Sequence, residues 1–116
     1  MKKLIYICSP LRGNIKKNIK KAIEYSRYVF LQGHIPYAPH TIFTQFLDDK
    51  IESERTIAME MGNIMLLKCD EIWVFGDIIS DGMASEIELA GKNKILIRTI
   101  RNIKENNEKL GEIDEI

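Results

Sequence analysis

Four short apolar runs alternate with longer segments of helical periodicity, and this alternation constrains the fold more than any other feature of the chain. We predict β-strands at residues 3–8, 34–40, 71–76 and 94–98. The runs are nearly all apolar, so both faces of each strand must be buried, as in a parallel sheet that helices cover on both sides. The pattern therefore predicts a three-layer α/β fold with a parallel sheet of four or five strands flanked by helices.

Three segments between these runs repeat their apolar residues at helical spacing, and turn residues mark their ends. Helices are predicted over residues 14–33, 51–68 and 81–91, with a helical turn over residues 41–47. Asn14 is a typical N-cap, and Gly33 is typical of the position just after a helix. The second strand is predicted to be extended because its two prolines disfavour helix. The buried side of the second helix is assigned to apolar residues Ile57, Ala58, Met61, Ile64, Met65 and Leu66 or Leu67.

The length of 116 residues favours one folded unit. We predict a single domain over residues 1–100, followed by a polar tail over residues 101–116 whose few apolar residues recur at near-helical spacing. The apolar fraction of 45% and the charged fraction of 29% are those of an ordinary globular protein. No apolar run is long enough to span a bilayer, and the first residues lack the features of a signal peptide, so we expect a cytoplasmic protein without a membrane partner.

Charge and cysteine content exclude further classes of function. Basic and acidic side chains number 17 each, so the chain has no net positive field, and a nucleic-acid partner is not expected. Cys8 and Cys69 are expected to be reduced thiols, because a chain of this size folds without a disulfide. His34 and His40 do not combine with the cysteines at a metal-ligand spacing. We therefore expect no metal and no other cofactor.

Three polar loops follow the predicted strands, at residues 9–14, 38–50 and 76–86. In an open parallel sheet, ligands bind beyond the carboxyl ends of the strands, so these loops are the candidate site. The first loop carries four candidate anion ligands at a helix N-terminus: Ser9, Arg12, Gly13 and Asn14. Free backbone N–H groups and a guanidinium suit phosphate or carboxylate there. A purely structural turn fits the same residues equally well.

The third loop leads from a buried strand into a helix whose first turn is predicted to hold Glu86. The positive end of that helix would keep the carboxylate ionised, and an ionised, oriented carboxylate is suited to attack an electrophilic sugar carbon. The alternative is a glutamate that only complements the helix dipole. Gly82 allows a ligand to approach the backbone closely. Tyr6, inside the first strand, is either a core tyrosine or a hydroxyl that orients Glu86.

The middle loop adds a cluster of carboxylates at the edge of the crevice. Asp48, Asp49 and Glu54 follow one another closely after His40. Either they cap the helix that comes next, or one of them supplies a general acid. The residue pattern leaves both alternatives open.

Residues 6–13 and 80–86, with residues 69–76 between them, carry a resemblance to a known family. They read Tyr-Ile-Cys-Ser-Pro-Leu-Arg-Gly, Ser-Asp-Gly-Met-Ala-Ser-Glu and Cys-Asp-Glu-Ile-Trp-Val-Phe-Gly. In order and spacing the chain resembles the nucleoside 2-deoxyribosyltransferase-like superfamily over residues 3–98. That superfamily includes the 2′-deoxynucleoside 5′-phosphate N-hydrolases, and the likeness is greatest to small uncharacterised bacterial and phage members.

The resemblance implies a flavodoxin-like sheet and a retaining cleavage of an N-glycosidic bond. Glu86 takes the position of the nucleophile and Tyr6 that of the tyrosine that orients it. Arg12 matches an arginine that meets the 5′ end of a nucleotide, and Ser80 matches a phosphate-binding serine. The implied partners are a nucleoside or nucleotide substrate and further copies of the chain, with sites near subunit interfaces. The substrate site predicted in full comprises Ser9, Arg12, Gly13, Asn14, His40, Gly76, Ser80, Gly82 and Met83, and the predicted catalytic group comprises Glu86, Tyr6, Asp48 and Asp49.

Two departures from the family pattern bear on activity. Gly62 stands where the family has its acid/base aspartate, so the proton for the leaving base must come from Asp48, Asp49, Glu54 or a partner subunit. Pro10 replaces a phosphate-binding serine. Two functions therefore remain open, a glycosyl-transferring enzyme and a degenerate protein that binds a nucleotide without turnover. A phosphoribohydrolase of the cytokinin-activating kind is disfavoured because the chain lacks most of its glycine-rich turn.

Overall fold

The computed structural model describes residues 1–101 and shows a four-stranded parallel sheet in the order β2-β1-β3-β4. The strands are β1 (Leu4–Cys8), β2 (Ile35–Tyr37), β3 (Glu71–Phe75) and β4 (Leu96–Ile100). Helices α1 (Ile15–Leu31), α2 (Pro39–Ile42), α3 (Glu52–Leu66) and α4 (Asp81–Lys92) connect them, with a 3-10 turn over Phe43–Gln45. The predicted α/β class and parallel sheet are confirmed, and the strand order is that of flavodoxin-like folds.

Helices cover both faces of the sheet, which gives three layers. On one face, Ile5 and Ile7 of β1 pack with α1, and the ring of Tyr25 stacks on that of Phe75 with centroids 4.4 Å apart. On the other face, Tyr6, Cys8 and the alternate residues of β3 pack against α3 and α4. Alternation along β1 therefore sends Tyr6 and Cys8 toward α3 and α4, and this direction later decides the geometry of the site.

The predicted helix ends agree with the structure where a cap is present. The Asn14 side chain accepts a hydrogen bond from the backbone N–H of Lys17, so α1 begins where predicted. Gly33 follows the last residues of α1 with a φ of +88°, a conformation that glycine adopts without steric cost. Local side-chain chemistry fixes these boundaries, and a single sequence is sufficient to read them.

Two predicted strands needed correction at their ends. The extended segment predicted over 34–40 stops at Tyr37, because Pro39 occupies the first turn of α2, where proline is tolerated. The strand predicted over 94–98 begins two residues later, since Lys94 takes a positive φ of 58° in the turn after α4.

The predicted buried side of α3 was partly wrong. Ile57, Ile64 and Leu67 are 48%, 57% and 48% exposed, whereas Gly62 and Leu66 are buried. The helix places its small residues against the sheet and the neighbouring cavity, so much of its apolar side faces outward. The prediction considered only which residues are apolar. The structure shows that the small residue Gly62 faces inward while the larger Ile57 and Ile64 face outward.

A buried carboxylate anchors the amino-terminal end of the sheet, away from the candidate loops. Glu71 receives hydrogen bonds from Lys3 Nζ at 2.8 Å and from Trp73 Nε1 and Arg98 Nε at 2.9 Å. Burial opposes ionisation, but these donors outweigh it and lower the pKa of Glu71 to about 2. The network joins β1, β3 and β4 and leaves the opposite edge of the sheet for chemistry.

The predicted polar tail, residues 101–116, lies almost entirely outside the described residues.

Cys8 and Cys69 are both buried, and both are free thiols. Across residues 1–101, every helix is too short or too polar to cross a bilayer.

Candidate active site

A cavity of about 330 Å³ opens over the carboxyl ends of β1, β2 and β3. Because β2 and β3 lie on opposite sides of β1, the connections that follow β1 and β3 diverge there and leave a crevice. The loops after all three strands contribute to the cavity wall, and α3 closes one side with Ala58, Met59, Gly62 and Asn63. The predicted location of the site coincides with this cavity.

Glu86 lies within the cavity lining and accepts a hydrogen bond from the Tyr6 hydroxyl at its Oε2 atom. Tyr6 comes from the central strand β1 and is 1% exposed, so its ring cannot turn away. The structure thus brings together the two residues that the sequence analysis paired. Glu86 lies in the second turn of α4, not the first, because that helix begins at Asp81.

The protonation of Glu86 differs from the expectation of a carboxylate held ionised by a helix end. Burial raises its pKa to about 7, although hydrogen bonds from Tyr6 and Cys8 act in the opposite direction. Desolvation, reinforced by the charge of Glu86, also raises the pKa of the Tyr6 hydroxyl well above its ordinary value. Tyr6 therefore stays protonated and donates, whereas Glu86 changes its charge near neutral pH.

Cys8 and Met83 pack in the same core cluster as Tyr6, and of the two only Met83 lines the cavity. The Cys8 thiol lies 3.8 Å from the backbone carbonyl of Met83, and both side chains are fully buried. Burial and the neighbouring Glu86 raise the pKa of the Cys8 thiol, so the sulfur remains a neutral thiol. Of Tyr6, Cys8 and Glu86, the carboxyl of Glu86 is therefore the group that changes its charge near neutral pH.

Ser9 and His40 form a second wall at the ends of β1 and β2. The His40 Nε2 atom lies 2.8 Å from the carbonyl oxygen of Ser9, and since a carbonyl only accepts, Nε2 carries the proton. Burial lowers the pKa of His40, with smaller opposing effects from Ser9 and Asp49. Among the buried side-chain nitrogen and oxygen atoms of residues 1–101, the Ser9 hydroxyl oxygen alone has no hydrogen-bond partner.

A cluster of two arginines and one aspartate stands at the mouth of the cavity. Asp49 accepts from Arg12 Nε at 3.0 Å and lies 3.7 Å from Arg55 Nε. All three side chains line the cavity, and together they carry one net positive charge. A guanidinium pair of this kind suits an anionic group of a ligand.

The start of α4 presents Ser80, Asp81 and Gly82 to the cavity. The Ser80 hydroxyl oxygen accepts a hydrogen bond from the backbone N–H of Met83 and so caps the helix. The hydroxyl proton of Ser80 can still be donated to a ligand. A Cβ added at Gly82 would meet no atom within 4 Å. The space beside Gly82 is therefore open to a ligand.

Four predicted site residues lie outside the cavity lining: Gly13, Asn14, Gly76 and Asp48. Asn14 uses its side chain as the α1 cap, and Gly13 and Gly76 take φ values near +100° in turns. The Asp48 carboxylate accepts from the backbone N–H of Lys50 at 2.9 Å. Their local backbone roles account for these residue types.

Sequence reasoning missed the residues that α3 and the 3-10 turn bring to the cavity. Arg55, Met59 and Asn63 recur at four-residue spacing on one side of α3, and Phe43 and Thr44 come from the 3-10 turn. The spacing of Arg55, Met59 and Asn63 was visible in the sequence, but nothing in it showed that this side of α3 faces a cavity.

Gly62 occupies the wall directly beside Tyr6. A Cβ built on Gly62 would lie 3.2 Å from the Tyr6 hydroxyl oxygen, closer than most real contacts of this type. The glycine therefore lets the Tyr6 hydroxyl lie against α3 while it is bonded to Glu86.

In residues 1–101, no group of three or more potential metal ligands is assembled.

Comparison with solved structures shows the same fold in proteins of low identity. A 2-deoxyribosyltransferase from Bacillus psychrosaccharolyticus aligns with a TM-score of 0.67 and 17% identity, over 83% of this chain and 70% of that one. A conserved protein from Enterococcus faecalis V583 aligns with a TM-score of 0.62 and 21% identity, over 100% of this chain and 77% of that one. At such identities the likeness establishes the flavodoxin-like fold alone.

Comparison with curated proteins gives no match. A family model described as a domain of unknown function, DUF7768, matches residues 3–100. This match covers most of the chain and nearly all the described residues. The chain therefore belongs to the DUF7768 family.

Proposed function

We propose that this protein cleaves or transfers the N-glycosidic bond of a nucleoside or nucleotide through a glycosyl intermediate on Glu86. The observation that carries the proposal is a half-buried glutamate, bonded by a tyrosine hydroxyl from the central strand, in the lining of a cavity at the carboxyl edge of the sheet. The fold it shares with a 2-deoxyribosyltransferase supports the same reaction class. The implied partner is a small molecule.

In the proposed reaction, the Glu86 carboxylate attacks the sugar carbon as the bond to the base breaks. The transition state resembles an oxocarbenium ion, which a neighbouring carboxylate stabilises before it forms the ester. Glu86 is half-buried in the cavity lining, and partial exclusion of water strengthens that interaction. Water then releases the sugar in a hydrolase, or a second base receives it in a transferase.

Tyr6 serves to orient Glu86 and to favour its ionised form. Its hydroxyl is held by the packing of β1 and donates to the Oε2 atom of Glu86. Because burial raises the pKa of Glu86 to about 7, the hydrogen bond from Tyr6 determines how much carboxylate exists at neutral pH. Tyr6 is thus a positioning residue in this account.

The charged cluster at the cavity mouth supports a phosphorylated substrate. Arg12 and Arg55 already share Asp49 as a partner, so a phosphate that approaches meets two oriented guanidinium groups. The Ser80 proton and the open space beside Gly82 lie on the helix side of the same cavity. We assign the cluster to an anionic group of the nucleotide.

The Ser9 hydroxyl lines the cavity, and we assign it a contact with the sugar or the base of the substrate. A buried hydroxyl without a partner costs about 1–3 kcal/mol of stability, and a polar ligand atom would recover this cost. His40 holds the adjacent carbonyl of Ser9 and so fixes the direction of that residue.

We also propose that the protein forms a homo-oligomer. The outward apolar residues of α3, which include Ile57 and Ile64, support this because such a strip is usually covered in solution. The same helix lines the cavity with other residues, so a partner chain there would lie close to the site.

A second candidate function is the binding of a nucleotide without turnover. The observation that favours it is Gly62, which leaves the wall beside Tyr6 without a side chain to protonate a leaving base. The first experiment below separates the two functions.

Glu86→Gln is expected to abolish base release from a panel of nucleosides and nucleoside 5′-monophosphates, in ribo and deoxy forms, read by chromatography. Because burial raises the carboxyl pKa from 4.5 to about 7, the folded state loses stability as pH rises through this interval. The neutral amide removes that penalty, so the melting temperature at ~pH 8 should be unchanged or higher.

Glu88→Gln is the matched control, since Glu88 lies on the same helix, exposed and paired with Lys92. It should retain wild-type activity. Full activity of Glu86→Gln would refute the nucleophile. A silent panel in which a nucleotide still raises the melting temperature would favour the binding function.

Tyr6→Phe should move the acidic limb of the pH profile of kcat/KM to higher pH, by roughly 1–2 units. The reason is that the lost hydrogen bond stabilises the carboxylate, so its removal raises the pKa of Glu86. Tyr37→Phe removes a hydroxyl from the neighbouring ring, which is not bonded to Glu86, and should leave the limb in place. A uniform loss of rate at every pH would make Tyr6 a packing residue only.

Gly62→Ala should lower activity, because the new methyl group would press on the Tyr6 hydroxyl at 3.2 Å and disturb its bond to Glu86. The expected loss of stability is about 1–3 kcal/mol. Gly91→Ala, in α4 with no atom within 4 Å of the added Cβ, should be neutral or stabilising. Chemical denaturation and base-release assays measure both effects, and an unchanged Gly62→Ala enzyme would contradict this close contact.

A further inference from the structure

Departure of a neutral base from a sugar normally requires a proton, so the donors in the cavity decide which bases can leave. Protonation by a positioned acid is worth about 100-fold to 10,000-fold in rate. The cavity lining contains several groups that carry or exchange protons, contributed by β1, α2, the loop after the 3-10 turn, α3 and α4. The hydrogen bonds of each group show whether it is available as a donor.

The carboxylates at the cavity mouth are engaged as acceptors. Asp49 is held between the guanidinium groups of Arg12 and Arg55, with its Oδ2 atom 3.0 Å from Arg12 Nε and its Oδ1 atom 3.7 Å from Arg55 Nε. Glu54 accepts the backbone N–H of Asp48 at its Oε1 atom, at 2.9 Å. Neither carboxylate is placed to carry and deliver a proton.

Asp81 and His40 are no better placed as acids. Asp81 lies in the first turn of α4 and is exposed to solvent. His40 already donates its Nε2 proton to the Ser9 carbonyl, and burial favours the neutral ring, whose other nitrogen only accepts.

Tyr6, Gly62 and Glu86 do not supply a proton for the leaving base either. The Tyr6 proton is committed to Glu86, and burial holds the pKa of this hydroxyl far above neutrality. The wall beside Tyr6 is Gly62, which has no side chain. Glu86 itself acts as a nucleophile only after it has lost its proton. Across the lining residues that the structure describes, the groups that could carry a proton are therefore either engaged with protein partners or, in the case of Asp81, exposed to solvent.

We infer that the substrates are N-glycosides whose base already carries a positive charge, such as pyridinium nucleosides and nucleotides or N7-alkylated purine nucleosides. This inference rests on the proposed function and narrows its substrate class. A cationic base leaves as a neutral molecule, so its departure needs no acid.

The reaction balances without a further reactant. The Glu86 carboxylate forms a C–O bond to the sugar carbon while the C–N bond breaks, and the bonding electron pair passes to the ring nitrogen and cancels its charge. A water molecule then attacks the same carbon, Glu86 leaves as a carboxylate, and the extra proton of the water passes to solvent. One water is consumed, and the neutral base, the free sugar and one proton are released.

The charge of the cavity agrees with a cationic base. Four carboxyl groups line it, from Asp49, Glu54, Asp81 and Glu86, against two guanidinium groups, so the lining has a net charge of −2 when all are ionised. At the mouth, Asp49 and Glu54 balance the charges of Arg12 and Arg55, so the excess negative charge lies on α4, at Asp81 and Glu86. The aromatic ring of Phe43 adds a surface on which a flat cation binds well.

The test compares matched pairs that differ only in the charge of the base. The pairs are 7-methylguanosine with guanosine, and nicotinamide riboside with its reduced, uncharged form, each as ribo and deoxy nucleoside and as 5′-monophosphate. Base release is measured by chromatography with the wild-type protein, with Glu86→Gln subtracted as the blank. We expect kcat/KM for the cationic member to exceed that of the neutral member by at least about 100-fold.

The pH profile provides an independent readout. For nicotinamide riboside, whose pyridinium charge does not depend on pH, kcat/KM should rise as Glu86 ionises and then stay level at higher pH, because no acid has to remain protonated. A fall on the alkaline side, or neutral substrates within about 10-fold of their cationic partners, would reveal a general acid and overturn the inference while leaving the proposed function intact. No release from any substrate would instead refute the proposed function, and the inference with it.

Discussion

The hydrogen bond from Tyr6 to Glu86 ties the central strand to the helix that follows the next strand of the sheet, and the rest of the site is arranged around it. Tyr6 reaches α4 because side-chain alternation in β1 points it to that face. The bond is partly buried, and it counteracts part of the desolvation that raises the pKa of the Glu86 carboxyl to about 7. A carboxyl in this state is balanced between acid and nucleophile near neutral pH, which is the property the proposed chemistry uses.

The sheet order explains why this bond forms at a cavity and not within a closed core. With β2 and β3 on either side of β1, three loops diverge at the carboxyl edge, and small residues of α3 leave space beneath them. The Glu71 network connects the strands near their other end, away from the cavity.

Much of this arrangement could be predicted from the sequence, because local signals decide it. The apolar runs of β1 and β3, the Asn14 cap and the turn at Gly33 each depend on residues next to one another in the chain. The orientation of α3 could not be predicted from apolar periodicity, since packing around Gly62 turned apolar residues outward. Arg55 was missed for the same reason. The raised pKa of Glu86 also escaped prediction, because desolvation depends on the walls of the cavity and not on the helix terminus alone.

The central claim is that Glu86 forms a covalent bond to the sugar, and trapping that bond tests it most directly. A 2′-fluoro-arabinosyl nucleoside with a cationic base would form the intermediate but release it slowly, because fluorine disfavours the second oxocarbenium-like step. After acid quenching and proteolysis, mass spectrometry should find a fluoropentosyl group on the peptide that contains Glu86, and none in Glu86→Gln. Base release by the wild-type protein with no adduct at Glu86, or with an adduct on another residue, would contradict the account.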